Sequence, residues 1–111
     1  MTAPAGLTIE RTTHGAWQVL VLTGELDLYT RSALDDRLTS SEDRARLALD
    51  LAGVRFVDSS GLGTIVGAVR RFRAAGGSLA LIAPPDSPAE RMLTLAGLSE
   101  LIRPLADRTE L

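Results

Sequence analysis

Hydrophobic positions along the chain change period several times, and each change marks an element. Leu7-Thr8-Ile9-Glu10-Arg11 alternates apolar with polar, the pattern of a strand with one buried face. His14-Gly15 reads as a turn, and Trp17 to Thr23 (WQVLVLT) is a β-rich run ending at Gly24. Together they predict a hairpin whose second strand is the more buried. From Thr30 to Leu38 the period becomes helical. Leu34 and Leu38, four apart with Ala33 beside them, share a face, and Asp27 or Thr30 can cap the helix start.

A polar connection from Ser40 to Arg46 leads to Leu47-Ala48-Leu49-Asp50-Leu51, an apolar run of strand length. Strand character resumes at Val54-Arg55-Phe56-Val57 after Gly53. Asp58-Ser59-Ser60 offers three good caps and opens a helix running to Ala75. Arg70, Arg71 and Arg73 lie near its C-terminal end, where cations suit the dipole, and Gly76-Gly77 stops it. Ser78 to Ala83 is a buried strand. After Pro84-Pro85, Asp86 or Ser87 caps a helix with Pro88 in its first turn, ending near Ala96 and Gly97. Leu101-Ile102 predicts a short edge strand before Pro104, and residues 1–6 a disordered tail. The order β-β-α-β-α-β-α favours an α/β fold, with parallel pairing, right-handed crossovers and an opening hairpin that makes the sheet mixed. Residues 1–111 suffice for one core and not for two.

Composition narrows the chemistry. The 12 basic and 14 acidic side chains leave a net charge of -2, which provides no electrostatic reason to bind nucleic acid. There is no cysteine and a single histidine, His14, so thiol chemistry and histidine-cluster metal sites are excluded. Every basic residue is arginine, which removes the Walker A lysine and the Schiff-base lysine. Residues 1–8 do not read as a signal peptide, and uncharged stretches such as Ser59–Val69 fall well short of the roughly 20 residues of a membrane span. A cytoplasmic protein, away from membranes, is expected.

The helix after Asp58 carries Gly61, Gly63 and Gly67 in its first two turns, each costing about 1 kcal/mol relative to alanine. Tight packing on the sheet accounts best for Gly67. A bare surface for an approaching partner or phosphate accounts better for Gly61 and Gly63. One cap needs one residue, so at least one hydroxyl of Ser59 and Ser60 is spare. A phosphate there would add about -1.5 to -2 charge, beside Asp58.

Phe56-Val57-Asp58-Ser59-Ser60-Gly61-Leu62-Gly63 resembles the phosphorylation-site signature of bacterial anti-sigma factor antagonists, members of the STAS domain family. Thr23-Gly24-Glu25-Leu26-Asp27 resembles the family's second signature, and Gly76-Gly77-Ser78-Leu79 and Ala96-Gly97-Leu98 match later landmarks in the same order. The resemblance implies partner switching. The unphosphorylated antagonist binds an anti-sigma factor that is also a serine kinase, which frees a sigma factor. Phosphorylation breaks the complex, and a serine phosphatase restores it. ATP and Mg²⁺ belong to the kinase, so no cofactor is expected here, nor any enzymatic activity. The modified serine maps to Ser59. Asp27, Tyr29, Asp58, Ser60, Gly61, Leu62 and Gly63 become the partner-facing residues, with Ser60 a cap or a secondary contact and the chain a monomer. Two departures stand out: a short C-terminal region, and Met92-Leu93 where the family has a bulky aromatic.

Other readings are weaker. A non-phosphorylated STAS subunit of a lipid-transport complex or a stress-signalling assembly would bind its partner through the same helix. Gly61-Leu62-Gly63 is reminiscent of a dinucleotide loop, but its spacing is not the standard one. Glu25 and Asp27 fit a solvated turn and a cap better than acid–base catalysis. A triad would need His14 to cross the fold to Ser59, and no Gly-x-Ser-x-Gly elbow is present.

Overall fold

In the computed structural model, residues 6–40 and 46–111 are described. Four strands form one sheet in the order β1-β2-β3-β4: Leu7–His14, Trp17–Leu26, Arg46–Val57 and Ser78–Ile82. β1 and β2 make an antiparallel hairpin that closes with His14 opposite Trp17, and β2, β3 and β4 run parallel. The helices are α1 (Arg31–Ser40), α2 (Ser59–Ala74), α3 (Pro88–Leu95) and α4 (Ser99–Ile102), followed by a 3₁₀ turn at Arg108–Glu110.

One face of the sheet presents Leu20, Leu22, Leu49, Leu51 and Val54. These pack against Leu34 and Leu38 of α1, Ile65, Val69 and Phe72 of α2, and Leu93 of α3. Leu93 is buried in this core, and Met92 packs half-buried against it. The other face holds Val19, Ala48 and Ile82, with Trp17, Leu105 and Leu111 packed over them. Arg108 reaches back to Asp50 at 3.4 Å and ties the C-terminal turn to β3.

Leu47–Leu51 and Val54–Val57 belong to one strand, as the expected order of elements requires, because pairing with β2 shifts register at two points and so absorbs Gly53 without breaking. The structure corrects two expectations. Leu101-Ile102 lies in α4 rather than in an edge strand. Leu105 instead bridges Ile82, its N–H donating to the Leu81 carbonyl at 2.8 Å. Gly6 is not part of a loose tail, since its carbonyl accepts the Glu25 N–H. It presses against Gly24, whose φ of +114° at the second register shift suits only glycine. The rest of the expected tail, residues 1–5, lies outside the described residues.

Candidate functional site

The C-terminal ends of β2 and β3 lie side by side, with Leu26 opposite Val57. Loops leaving adjacent parallel strands at this end of a sheet are where α/β folds assemble their sites. The β2–α1 turn carries Asp27, Leu28, Tyr29 and Thr30, and the β3–α2 junction carries Asp58, Ser59 and Ser60.

Thr30 is buried, and its hydroxyl organises the first loop. It accepts the Asp27 N–H at 3.0 Å and donates to the Glu25 carbonyl at 2.8 Å. Oδ1 of Asp27 accepts from the N–H groups of Tyr29 at 2.9 Å and Thr30 at 3.0 Å, an N-cap arrangement for the turn that leads into α1. With its backbone held in this way, Tyr29 turns its side chain outward at 85% exposure. Leu28 and Phe56 are also exposed nearby, so this end of the sheet carries three large side chains in solvent.

Asp58 organises the second loop and joins it to the first. Oδ1 accepts the Gly61 N–H at 2.9 Å and caps α2. Oδ2 accepts the Leu28 N–H at 3.1 Å, and the Asp58 N–H donates to the Leu26 carbonyl at 3.1 Å. The cap is therefore Asp58, not Ser60. Neither serine hydroxyl makes a hydrogen bond among the described residues; Ser59 is exposed and Ser60 half-exposed.

The expectations for Gly61 and Gly67 are reversed, and that for Gly63 holds. A Cβ on Gly61 would stand 2.6 Å from the Leu26 carbonyl oxygen and 2.7 Å from its Cγ, so this glycine is the close-packing one. Gly61 is accordingly buried and adds no open surface. A Cβ on Gly63 or Gly67 would meet nothing within 4 Å. Their bare backbone lies along a groove of about 470 Å³ between α1 and α2, whose rim includes Ser59 and Ser60.

Comparison with known proteins settles the family. The STAS domain model matches residues 8–110. The chain belongs to the STAS domain family. This STAS domain is 31% identical to an anti-sigma F factor antagonist of Paenibacillus polymyxa, over 86% of this chain and 84% of that protein. It is 34% identical to the anti-sigma-B factor antagonist of Bacillus subtilis, over 73% of this chain and 74% of that protein. A crystal structure of an anti-sigma factor antagonist from Mycobacterium paratuberculosis shares the fold with a TM-score of 0.80, at 23% identity, covering 99% of this chain and 94% of that one.

Within this STAS domain both signatures meet at one end of the sheet. Asp27 and Asp58 face inward and hold the loops, Leu62 packs half-buried against the core, and Tyr29, Ser59, Ser60 and Gly63 reach the surface. His14 lies at the opposite end of β2, roughly 30 Å away at 3.3 Å per residue, and Glu25 pairs with Arg55 at 3.3 Å rather than with Asp27. Among the described residues no three His, Cys, Asp or Glu are grouped to hold a metal ion, and no helix is long and apolar enough to cross a membrane. The motif reading missed Arg31, which lines the same groove. Its signal was available: a cation as the first residue of a helix opposes the dipole, so its reason has to lie elsewhere.

Proposed function

We propose that this STAS domain is an anti-sigma factor antagonist, a protein-binding switch rather than an enzyme. Unphosphorylated, it binds an anti-sigma factor with serine kinase activity through the switch end and so releases a sigma factor. The kinase transfers the γ-phosphoryl of ATP to Ser59. A P–O bond forms at Oγ, the bond to ADP breaks, and the hydroxyl proton leaves through the kinase. A phosphatase restores the hydroxyl by hydrolysis, with inorganic phosphate as the product. The cycle runs in the cytoplasm, where ATP and the transcription machinery are.

The position of Ser59 carries this reading. Asp58 takes the capping work and leaves the Ser59 hydroxyl unbonded and exposed beside a groove and an outward tyrosine. A capping serine would have to give up its bond to be modified; this one does not. The names of the relatives support the same partner class.

Phosphosite mapping of the protein from growing and stressed cells tests the proposal. Trypsin cuts after Arg55 and Arg70, leaving a peptide whose hydroxyl side chains are Ser59, Ser60 and Thr64. Phosphate on Ser59 whose occupancy changes with condition, together with co-purification of a small kinase-like protein, is the expected result. A well-recovered peptide that never carries phosphate, with a transporter ATPase as the partner, overturns it in favour of a constitutive binding subunit.

A further inference from the structure

The groove between α1 and α2 is lined by Arg31 on one wall and by Ser59 on the other. β2 and β3 are parallel, so α1 and α2 return along the sheet side by side in the same direction. Two ties fix their register. At the near end the Leu28 N–H meets Asp58, and at the far end an Arg71 guanidinium N–H donates to the Leu38 carbonyl at 3.0 Å, partners 30 and 33 residues apart. By that offset Arg31 stands level with residues 61–64, in the first turns of α2, whereas Arg71 works at the other end.

Arg31 lines the groove together with Ser59, Ser60 and Gly63, and its guanidinium has no hydrogen bond or ion pair among the described residues. Asp35, one turn further along α1 and also on the groove, does not bond to it. Gly63 adds no side chain between the two walls. Asp58 is a weaker source of repulsion than its position next to Ser59 implies, because each of its oxygens already receives a backbone N–H.

We propose that Arg31 receives the phosphate of phosphorylated Ser59, so that the phosphoserine folds back and occupies the α1–α2 groove. This rests on Ser59 being the modified residue. It changes what modification does: the partner loses the groove itself, by self-occlusion, as well as a neutral serine. An arginine suits the role because its planar fork can hold two phosphate oxygens at once.

The test needs no kinase. Phosphoserine is placed at position 59 during translation in the full chain, and its phosphorus resonance is titrated in the parent, Arg31→Ala and Arg31→Lys. A guanidinium beside the phosphate favours the dianion, so the parent midpoint lies below that of Arg31→Ala by roughly half a pH unit, with Arg31→Lys between them. The gap shrinks as salt is raised. Coincident midpoints in parent and Arg31→Ala overturn the proposal. Failure of the functional reading shows separately, as a Ser59 never phosphorylated in cells, because the titration uses an installed phosphate.

Discussion

Asp58 accepts the backbone N–H of Leu28 at 3.1 Å with one carboxylate oxygen while the other caps α2 through Gly61. One side chain thus locks two loops that lie 30 residues apart in sequence. The signature aspartate is a clamp as much as a neighbour of Ser59, and its removal should loosen the whole end of the sheet. Asp58→Ala is expected to cost about 2 kcal/mol, from a lost cap and a lost charge-assisted bond. Asp58→Asn keeps one acceptor oxygen for two N–H groups and should cost less. Urea unfolding measures both losses. Faster amide exchange at Leu28 and Gly61 together would locate them at the clamp, and unchanged exchange at Leu28 would refute the link between the loops.

The three α2 glycines should respond in opposite directions. Gly61→Ala drives a Cβ into the Leu26 backbone and should destabilise by about 1–3 kcal/mol. Gly63→Ala and Gly67→Ala meet open space and should stabilise the helix by up to about 1 kcal/mol each. Melting of the three variants side by side checks the contrast.

Tyr29 separates binding from folding. At 85% exposure its ring contributes little to the fold, so Tyr29→Ala should move stability by less than about 0.5 kcal/mol. Its affinity for the anti-sigma partner should nonetheless fall tenfold or more, about 1.4 kcal/mol, as for a buried interface aromatic. Calorimetric titration of the purified pair reads this directly, and unaltered affinity would remove Tyr29 from the interface.

Glu90 makes the start of α3 sensitive to acid. The Thr94 hydroxyl donates to its carboxylate at 2.6 Å and the Asp86 N–H at 3.1 Å, which together hold its pKa below the ordinary glutamate value of 4.5. A carboxylate with a depressed folded pKa adds stability above its unfolded pKa and loses it as pH falls through the folded value. The Asp86 amide shift should therefore titrate with a midpoint below 4.5, and the step should vanish in Glu90→Gln. A midpoint at or above that value would show the bonds to be absent in solution.

Local physics made most of the fold legible from sequence. Alternation at Leu7–Arg11, the apolar runs at Trp17 and Leu47, and the caps and stops at Asp58, Gly76, Ser87 and Gly97 each depend on neighbours a few residues away, and each element forms where they place it. Leu101-Ile102 misled because the six residues between Gly97 and Pro104 are too few to carry a period, and packing of Ile102 into the core selects a helical turn. The family, too, was legible, since its two signatures are contiguous.

What the sequence by itself determined is the set of elements, their order, the family and the serine that stands at the head of α2. Tertiary structure alone decided which group does which work there. Ser60 and Asp58 are both good caps in isolation, and only the approach of the Leu28 N–H gives Asp58 a second bond that holds it in place. Gly61 and Gly67 are the same residue in the same helix, and only the helix's rotation over the sheet puts one against Leu26 and the other into the groove. Arg31 and Ser59 line one groove solely because β2 and β3 are parallel neighbours, so that two helices far apart in sequence run together. Pairings of that kind depend on distances through space, and periodicity along a chain carries no record of them.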